Sequence, residues 1–313
     1  MNKIVYVTGC LGFIGYHVTR RCLDEGYYVY GIDKNTYASN TQFLPELLSN
    51  TKFKFHNCDI NDIERLVDCD YVINTAAETH VDNSIVNNDV FLRSNVNGVH
   101  HLLKLINEKR QYQMPILLHF STDEVYGDIE HGSYTESDLL RPSNPYSATK
   151  AAADMLILAW GRTYKIPYLI VRPTNNYGIG QYVEKLIPKT IKYITLGRRI
   201  DLHDGGLPTR TWLHVSDTAE AIITLIKSGE QNNIFNISGN YETQNINVVK
   251  KIVYLLANET EVSRHIKEAT RAGHDVRYSI DDSKLKALGW QPNAEFDTEL
   301  AKIVEFYKNN FVW

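Results

Sequence analysis

The amino-acid sequence predicts an α/β fold, in which a doubly wound parallel sheet is joined to a smaller C-terminal α/β domain. Two observations support this prediction. Short apolar runs rich in β-branched residues alternate with helical patterns through the first half of the chain, which is typical of a parallel sheet with helices on both faces. A glycine-rich turn follows the first of these runs and opens a helix. We therefore expect one domain over residues 1–175 and a second over residues 176–313, with an interleaved boundary.

The individual elements follow from residue spacing. The candidate strands are Lys3–Thr8, Tyr27–Asp33, Lys52–Asn57, Asp70–Thr75, Ile116–Ser121 and Tyr168–Arg172. Between the strands, apolar residues recur at helical spacing, at Ile14, Val18, Cys22, Leu102, Leu103 and Ile106. After about residue 172, turn-rich segments alternate with three further helical patterns. These predicted helices lie near Val215–Lys227, Asn245–Asn258 and Asp297–Phe311.

The composition excludes several functional classes. Lysine plus arginine number 33 against 37 aspartate plus glutamate, so the net charge of −4 lacks the basic character of a nucleic-acid-binding protein. No apolar run reaches the length of a membrane span, and the first residues read as a strand, not as a cleavable signal. The four cysteines and the pair His100-His101 lack metal-ligand spacing. We therefore expect a cytoplasmic protein with reduced thiols and no bound metal.

The glycine-rich turn is a variant of the dinucleotide-binding fingerprint of Rossmann folds. Gly9, Gly12 and Gly15 fit the pattern G-x-x-G-x-x-G between a strand and a helix. Glycine allows a pyrophosphate to approach the backbone, and the helix N-terminus offers that anion unpaired N–H groups and a positive dipole end. Phe13 and Ile14 belong to the same turn and are expected to contact the cofactor.

The end of the second strand indicates which dinucleotide binds. Asp33 stands where a carboxylate accepts hydrogen bonds from ribose hydroxyls and repels a 2′-phosphate, which favours NAD over NADP. Lys34 is the counter-argument, because its ammonium could pair with that phosphate. Asp59 and Ile60 follow the third strand and could border the adenine. The alternative is that Asp33 and Asp59 are ordinary strand-end caps.

Two further motifs indicate catalysis. Tyr146 and Lys150 stand four residues apart on a helical stretch, so their side chains share a face, and Pro145 suits the first turn of that helix. A neighbouring ammonium and an oxidised nicotinamide both favour the phenolate, which could accept the proton of a sugar hydroxyl as its hydride leaves. Asp123 and Glu124 follow the fifth strand. A simple dehydrogenase needs only the Tyr/Lys pair, so the two acids suggest a second bond-breaking step.

Together with other segments, these motifs give the chain a family resemblance. It resembles the extended short-chain dehydrogenase/reductases and, within them, the nucleotide-diphospho-glucose 4,6-dehydratases, from residue 3 to near residue 290. The specific element is the Thr-Asp-Glu triplet, because related epimerases usually carry small residues there. The matching segments are Ile32–Ala38, Ala76–Asp82, Ser121–Gly127, Asn175–Gly178, Glu184–Pro188, Arg210–Leu213 and Arg271–Asp275.

The resemblance implies an NAD-dependent hydro-lyase acting on dTDP-glucose or UDP-glucose in deoxysugar (rhamnose-type) biosynthesis. Oxidation at carbon 4 acidifies the hydrogen on carbon 5, which Glu124 would remove, while Asp123 would protonate the departing carbon 6 hydroxyl. Hydride then returns to carbon 6. Thr122 would hydrogen-bond the carbon 4 oxygen beside Tyr146, and Lys150 would also hold the nicotinamide ribose. Adjacent acids in different environments can take different protonation states, so one can donate while the other accepts.

The resemblance also implies two sets of binding residues, with the nucleotide sugar bound mainly by the second domain. Further cofactor neighbours are Asn35, Thr36, Thr75, Ala76, Ala77, Thr79, Ser94 and Asn176. Substrate contacts are Thr79, Thr122, Asn175, Lys185, Leu186, Arg210, Asn245, Arg271 and His274. Arginine and lysine suit the diphosphate, although each such charge could be an ordinary surface residue.

Three questions stay open at this level. The sequence does not choose between a thymidine and a uridine nucleotide. Rival functions are a sugar-nucleotide 4-epimerase or decarboxylase of the same fold and a catalytically silent NAD-binding scaffold, against which the intact catalytic residues argue. Relatives dimerise through two helices, so we expect a homodimer formed around Val90–Asn107 and Tyr146–Tyr164, although Leu102, Leu156 and Leu158 could equally face the sheet.

Overall fold

The computed structural model describes residues 3–270 and 275–310. The strands in these ranges are β1 Ile4–Thr8, β2 Tyr28–Asp33, β3 Phe53–Asn57, β4 Tyr71–Asn74, β5 Ile116–Phe120, β6 Tyr168–Pro173, β7 Asn175–Tyr177, β8 Ile200–His203, β9 Thr209–His214, β10 Asn233–Ile237, β11 Tyr241–Gln244 and β12 Ile266–Ala269. The helices are α1 Phe13–Asp24, α2 Leu44–Leu48, α3 Val81–Val86, α4 Asp89–Phe91, α5 Gly98–Glu108, α6 Pro145–Tyr164, α7 Leu186–Thr195, α8 Val215–Ser228, α9 Asn245–Ala257, α10 Ser283–Lys286 and α11 Phe296–Asn309.

Seven strands form one parallel sheet in the order β10–β6–β5–β4–β1–β2–β3. The six strands predicted from the sequence all lie in it, so the doubly wound parallel fold is confirmed. The seventh strand, β10, comes from the second half of the chain and pairs with β6, where Asn233 faces Leu169. The chain therefore returns to this sheet after residue 175, and the division into domains at that residue stays a prediction.

Helices cover both faces of the large sheet and bury two apolar cores. Along β1, Val5 and Val7 belong to the core under α1 and α8, whereas Tyr6 belongs to the core under α5 and α6. This alternation is expected for a strand covered on both sides. The helical positions predicted from spacing are buried as well, with Val18 in the first core and Leu102 in the second.

The remaining elements form smaller layers. Strands β11, β9 and β7 form a three-stranded sheet, and β12 pairs with β8. Helices α7, α9 and α11 pack together and bury Ile187, Val248 and Leu300. The three helices predicted in this half are confirmed as α8, α9 and α11. The predicted end of the last one, Phe311, lies outside the described residues.

Three further observations concern the expected absences. Within residues 3–270 and 275–310, no helix combines the length and apolarity needed to cross a membrane. The same ranges hold no group of three or more His, Cys, Asp or Glu side chains that could bind a metal ion. All four cysteines lie in these ranges as free thiols.

Three leucines on the predicted dimer helices contact the core. Leu102 is fully buried, and Leu156 and Leu158 pack against the same core, which agrees with the alternative that these side chains face the sheet.

Candidate active site

A cavity of about 290 Å³ opens along the carboxyl ends of five parallel strands. It is lined at the ends of β1, β2, β4, β5 and β6 by Thr8, Asp33, Thr75, Ser121 and Pro173. Ligands of doubly wound sheets bind in the crevice outside these carboxyl ends, because the strand order and the connecting helices leave space there. The cavity brings together the glycine turn, the acid pair and the tyrosine that the sequence singles out.

The glycine turn leaves room for an anion at the start of α1. Gly9 has a φ of +72°, and a Cβ added there would lie 2.6 Å from the backbone nitrogen of Ala76. A Cβ on Gly15 would lie 1.9 Å from the carbonyl oxygen of Gly9, so both positions require glycine. No side chain caps α1 at Gly12, and its first three residues line the cavity. Their N–H groups are therefore available to a pyrophosphate.

Asp33 is a buried carboxylate held at the cavity wall by three donors. It accepts hydrogen bonds from the N–H of Leu11 at 3.0 Å, the N–H of Asn35 at 2.9 Å and the hydroxyl of Ser39 at 2.9 Å. Asn35 itself has a φ of 53°, a left-handed conformation that asparagine tolerates better than most residues. The turn after β2 therefore fixes the carboxylate in the position that the sequence assigned to ribose recognition.

Lys34 is paired with carboxylates of the protein. Its Nζ lies 3.6 Å from Oδ2 of Asp59 and 3.6 Å from Oε1 of Glu78. Asp59 also accepts the N–H of Asn61 and begins a 3₁₀ turn, which agrees with the alternative interpretation of Asp59 as a cap. Ile60, the next residue, lines the cavity. Lys34 is thus already balanced by two negative charges.

The two acids lie on a short 3₁₀ turn, Asp123–Tyr126, that follows β5. Thr122 caps this turn by accepting the N–H of Glu124 at 3.4 Å, and its hydroxyl lies 3.2 Å from Oδ1 of Asp123. Glu124 is half-buried and accepts a hydrogen bond from the amide nitrogen of Asn144 at 3.3 Å. Thr122, Asp123 and Glu124 all line the cavity.

Burial gives the two acids different environments. Asp123 is only 3% exposed, and burial followed by the negative charge of Glu124 raises its pKa from 3.8 to about 7, against weaker opposing effects of Arg210 and Thr122. A carboxyl group with such a pKa carries its proton in slightly acidic to neutral solution and can act as an acid. Burial thus gives Asp123 the raised pKa that its predicted role as the acid requires.

Helix α6 presents Tyr146 and Lys150 on its buried face. Asn144 and Ser147 form a capping box at its start, and Pro145 occupies the first position. The Lys150 ammonium donates to the carbonyl oxygen of Phe120, and burial lowers its pKa to about 8, although Asp154 acts in the opposite direction.

The phenol of Tyr146 differs from the expectation. Burial and then the Glu124 carboxylate raise its pKa, and a hydrogen bond with Thr122 lowers it. The spacing of Tyr146 and Lys150 predicts that the ammonium of Lys150 favours the phenolate. That ammonium instead donates to the carbonyl oxygen of Phe120 at the end of β5, and burial has the largest effect on the pKa of Tyr146. The positive charge of an oxidised nicotinamide would still favour the phenolate.

Most predicted site residues meet in this cavity. Those that line it are Gly9, Gly12, Phe13, Ile14, Gly15, Asp33, Lys34, Thr36, Ile60, Thr75, Ala76, Ala77, Thr79, Ser94, Thr122, Asp123, Glu124, Tyr146, Asn175, Asn176 and Lys185. Those described but not among the lining residues are Asn35, Asp59, Lys150, Leu186, Arg210 and Asn245. Arg271 and His274 lie outside the described residues.

Three predicted substrate contacts, Arg210, Leu186 and Asn245, make contacts within the protein in this structure. The guanidinium of Arg210 donates to the carbonyl oxygens of Thr209 at 2.8 Å and Asp275 at 3.1 Å. Leu186 begins α7 and packs into two apolar cores, and Asn245 begins α9 with its N–H bonded to a carbonyl oxygen. Their assignment as substrate contacts stays a prediction.

Sequence reasoning did not assign several residues that line the cavity. Glu78 and Glu184 directly adjoin assigned residues, so adjacency could have identified them. Gln181 and Tyr182 come from the loop after β7, for which the sequence carries no signal. The others are Thr8, Ile32, Ala38, Ser39, Cys58, Ser121, Pro173 and Thr174.

The parallel sheet, the helix that carries Tyr146 and Lys150, and the turn that carries Asp123 and Glu124 agree with the expected resemblance to the nucleotide-diphospho-glucose 4,6-dehydratases among the extended short-chain dehydrogenase/reductases. The family model described as GDP-mannose 4,6 dehydratase matches residues 6–303. The chain belongs to this family.

Individual relatives show which members of the family the chain is similar to. A dTDP-glucose 4,6-dehydratase of Haemophilus influenzae is 38% identical over 333 residues, which cover 98% of this chain and 98% of that protein. The low-salt glycan biosynthesis protein Agl12 of Haloferax volcanii is 38% identical over 308 residues, covering 97% and 98%. The crystal structure of DesIV, a dTDP-glucose 4,6-dehydratase from Streptomyces venezuelae with NAD and TYD bound, superposes with a TM-score of 0.93 at 35% identity, covering 99% and 98%. These matches confirm the resemblance to nucleotide-diphospho-glucose 4,6-dehydratases.

Proposed function

We propose that this protein is an NAD-dependent hydro-lyase that converts dTDP-glucose or UDP-glucose into its 4-keto-6-deoxy derivative, in rhamnose-type deoxysugar biosynthesis. The observation that carries the proposal is the acid turn, where a buried Asp123 with a pKa of about 7 precedes Glu124 in the cavity that contains Tyr146. Epimerisation at carbon 4 has no step that needs this pair. The dTDP-glucose 4,6-dehydratases among the relatives support the same activity.

The cavity residues fit NAD. Gly9 and Gly15 allow the tight turn before α1, and the uncapped start of α1 offers N–H groups to the pyrophosphate. Asp33 offers a carboxylate to ribose hydroxyls, and Lys34 lies between Asp59 and Glu78, which disfavours an additional phosphate beside them. We assign the first domain mainly to this cofactor and the second mainly to the nucleotide sugar. When bound, NAD supplies the hydride acceptor for carbon 4 and the hydride donor for carbon 6.

The side chains then divide the proton transfers among them. Tyr146, beside Thr122, would accept the proton of the carbon 4 hydroxyl as a phenolate, a form that burial opposes and that the positive charge of bound oxidised NAD would favour. The buried Lys150 carries a positive charge below its pKa of about 8. Glu124 accepts the proton from carbon 5, which the neighbouring ketone has acidified. Protonated Asp123 donates to the carbon 6 hydroxyl, so the carbon–oxygen bond breaks and water leaves. Reduction at carbon 6 requires one proton at carbon 5, which Glu124 returns.

The substrate side of the cavity supplies a cation for the diphosphate. Lys185 donates to the carbonyl oxygen of Thr79 at 2.9 Å, and burial lowers its pKa. We propose that Lys185, Thr79 and Asn175 contact the nucleotide sugar, because all three line the cavity that also contains the acid turn. A diphosphate would replace the carbonyl as the partner of the ammonium.

The test compares dTDP-glucose and UDP-glucose that carry deuterium on carbon 4. The proposal expects a 4-keto-6-deoxy product with deuterium on the new methyl group, because the same hydride leaves carbon 4 and returns to carbon 6. A galactose nucleotide as the product would identify an epimerase. Absence of turnover with both sugars, together with bound NAD, would refute the proposed activity.

We also propose a cytoplasmic homodimer. Apolar and small side chains lie exposed on the two predicted dimer helices, among them Leu92 at 47% and Met155 at 49% exposure. Ala152 and Ala159 are exposed on α6 at helical spacing from Met155, which would let a partner helix approach closely. Four free thiols support a reducing compartment.

A further inference from the structure

A buried ion pair joins β6 to α6, and none of the proposed proton transfers uses it. Arg172, near the end of β6, and Asp154 of α6 are 1% and 0% exposed. Nη2 and Nε of Arg172 lie 2.9 Å and 3.0 Å from Oδ2 of Asp154. Removing two charges from water is unfavourable, and apolar side chains of similar volume often stabilise a fold as well or better. The pair therefore needs an explanation other than stability.

Arg172 contacts both elements that carry the proposed catalytic residues. Its Nη1 lies 2.7 Å from the hydroxyl oxygen of Tyr126, the last residue of the acid turn. That hydroxyl in turn donates to the side-chain oxygen of Asn236 in β10 at 2.8 Å. On the other side, Asp154 lies one helical turn after Lys150 on α6. One guanidinium thus joins the acid turn to the helix of the Tyr/Lys pair.

Asp154 and Lys150 each affect the pKa of the other. Burial raises the pKa of Asp154, whereas the Arg172 guanidinium, the Ser121 hydroxyl and the Lys150 ammonium lower it. Asp154 in turn opposes the burial that lowers the pKa of Lys150.

We infer that Arg172 is a positioning residue that fixes the acid turn relative to α6. One bound sugar can then contact the acid pair and the Tyr/Lys pair at the same time. This inference rests on the proposed dehydratase function. Oxidation requires Tyr146 at the carbon 4 oxygen, and elimination requires Asp123 and Glu124 at carbons 6 and 5. A displacement of about 1 Å between such groups can cost about 100-fold in rate. The link through Tyr126 therefore governs elimination, and the link through Asp154 governs oxidation.

The test separates these two steps in single-turnover experiments on the NAD-loaded protein. Tyr126→Phe removes the hydroxyl but keeps the ring, which stacks on Tyr134 at 5.3 Å. We expect carbon 4 oxidation, followed by NADH absorbance, to stay within about threefold, and elimination to slow by about tenfold, since a buried hydrogen bond to a charged group is lost. NADH should accumulate. Tyr134→Phe is the matched control, because its hydroxyl bonds a carbonyl oxygen at the surface, and both rates should stay unchanged.

Asp154→Asn provides the converse variant. It keeps the shape of the side chain but removes the negative charge near Lys150, so oxidation should slow while elimination from the oxidised sugar is retained. Equal slowing of both steps in Tyr126→Phe, or no slowing, overturns the inference. If circular dichroism shows that Tyr126→Phe does not fold, an unchanged ratio of the two rates in Asp154→Asn overturns it. Wild-type protein that makes no 4-keto-6-deoxy product refutes the proposed function, and this inference with it.

Discussion

Replacing Asp123 by asparagine should stabilise the folded protein in alkaline solution while it abolishes elimination. The carboxyl group is 3% exposed, and burial, followed by the charge of Glu124, raises its pKa from 3.8 to about 7. The folded state therefore holds this proton more tightly than the unfolded state. The resulting stabilisation is fully present below about pH 4 and is lost as the pH rises towards 7. At 1.36 kcal/mol per pH unit, the loss amounts to about 4 kcal/mol at most.

Asparagine has no charge to bury, so the variant should not show this loss. Urea unfolding at pH 5 and pH 8 measures the free energy of unfolding of both proteins, and the advantage of Asp123→Asn should be larger at pH 8. Asp24→Asn, at the exposed end of α1, is the matched control and should follow the wild type at both pH values. An advantage that does not grow between pH 5 and pH 8 would refute the reasoning, because the folded state would then not favour the protonated carboxyl group.

Three further changes test other parts of the site and of the assembly. Glu124→Gln should abolish product while NAD remains bound, because an amide cannot accept the carbon 5 proton; unchanged turnover would exclude Glu124 as the base. Gly15→Ala should prevent NAD binding in a fluorescence titration, since the added Cβ would lie 1.9 Å from the carbonyl oxygen of Gly9, and normal affinity would contradict the turn geometry. Met155→Glu should yield monomers in sedimentation, because it places a charge on the exposed apolar face of α6; a persisting dimer would place the interface elsewhere.

The sequence by itself determined six of the seven strands of the large sheet, the cofactor turn and the identity of the acid pair. The apolar runs of strands and the apolar periodicity of helices are patterns within segments of a few to about 20 residues. Strands β1 to β6 could therefore be predicted. The glycine spacing and the Thr-Asp-Glu triplet are equally local. Their chemistry follows from residue type, because only glycine leaves room beside the carbonyl oxygen of Gly9, and only an acidic side chain can exchange a proton as Glu124 is proposed to do.

Only the tertiary structure decided which groups meet and how burial changes them. β10 begins 60 residues after the end of β6 and pairs with it in the sheet, with Asn233 opposite Leu169. No local sequence pattern predicts this pairing. The guanidinium of Arg210 donates to backbone carbonyl oxygens, and that of Arg172 donates to the hydroxyl of Tyr126, which is 46 residues away in sequence. The pKa values of Asp123 and Tyr146 likewise depend on desolvation by distant segments. Periodicity is a property of neighbouring residues, whereas partner choice and desolvation arise when residues remote in sequence pack together and exclude water.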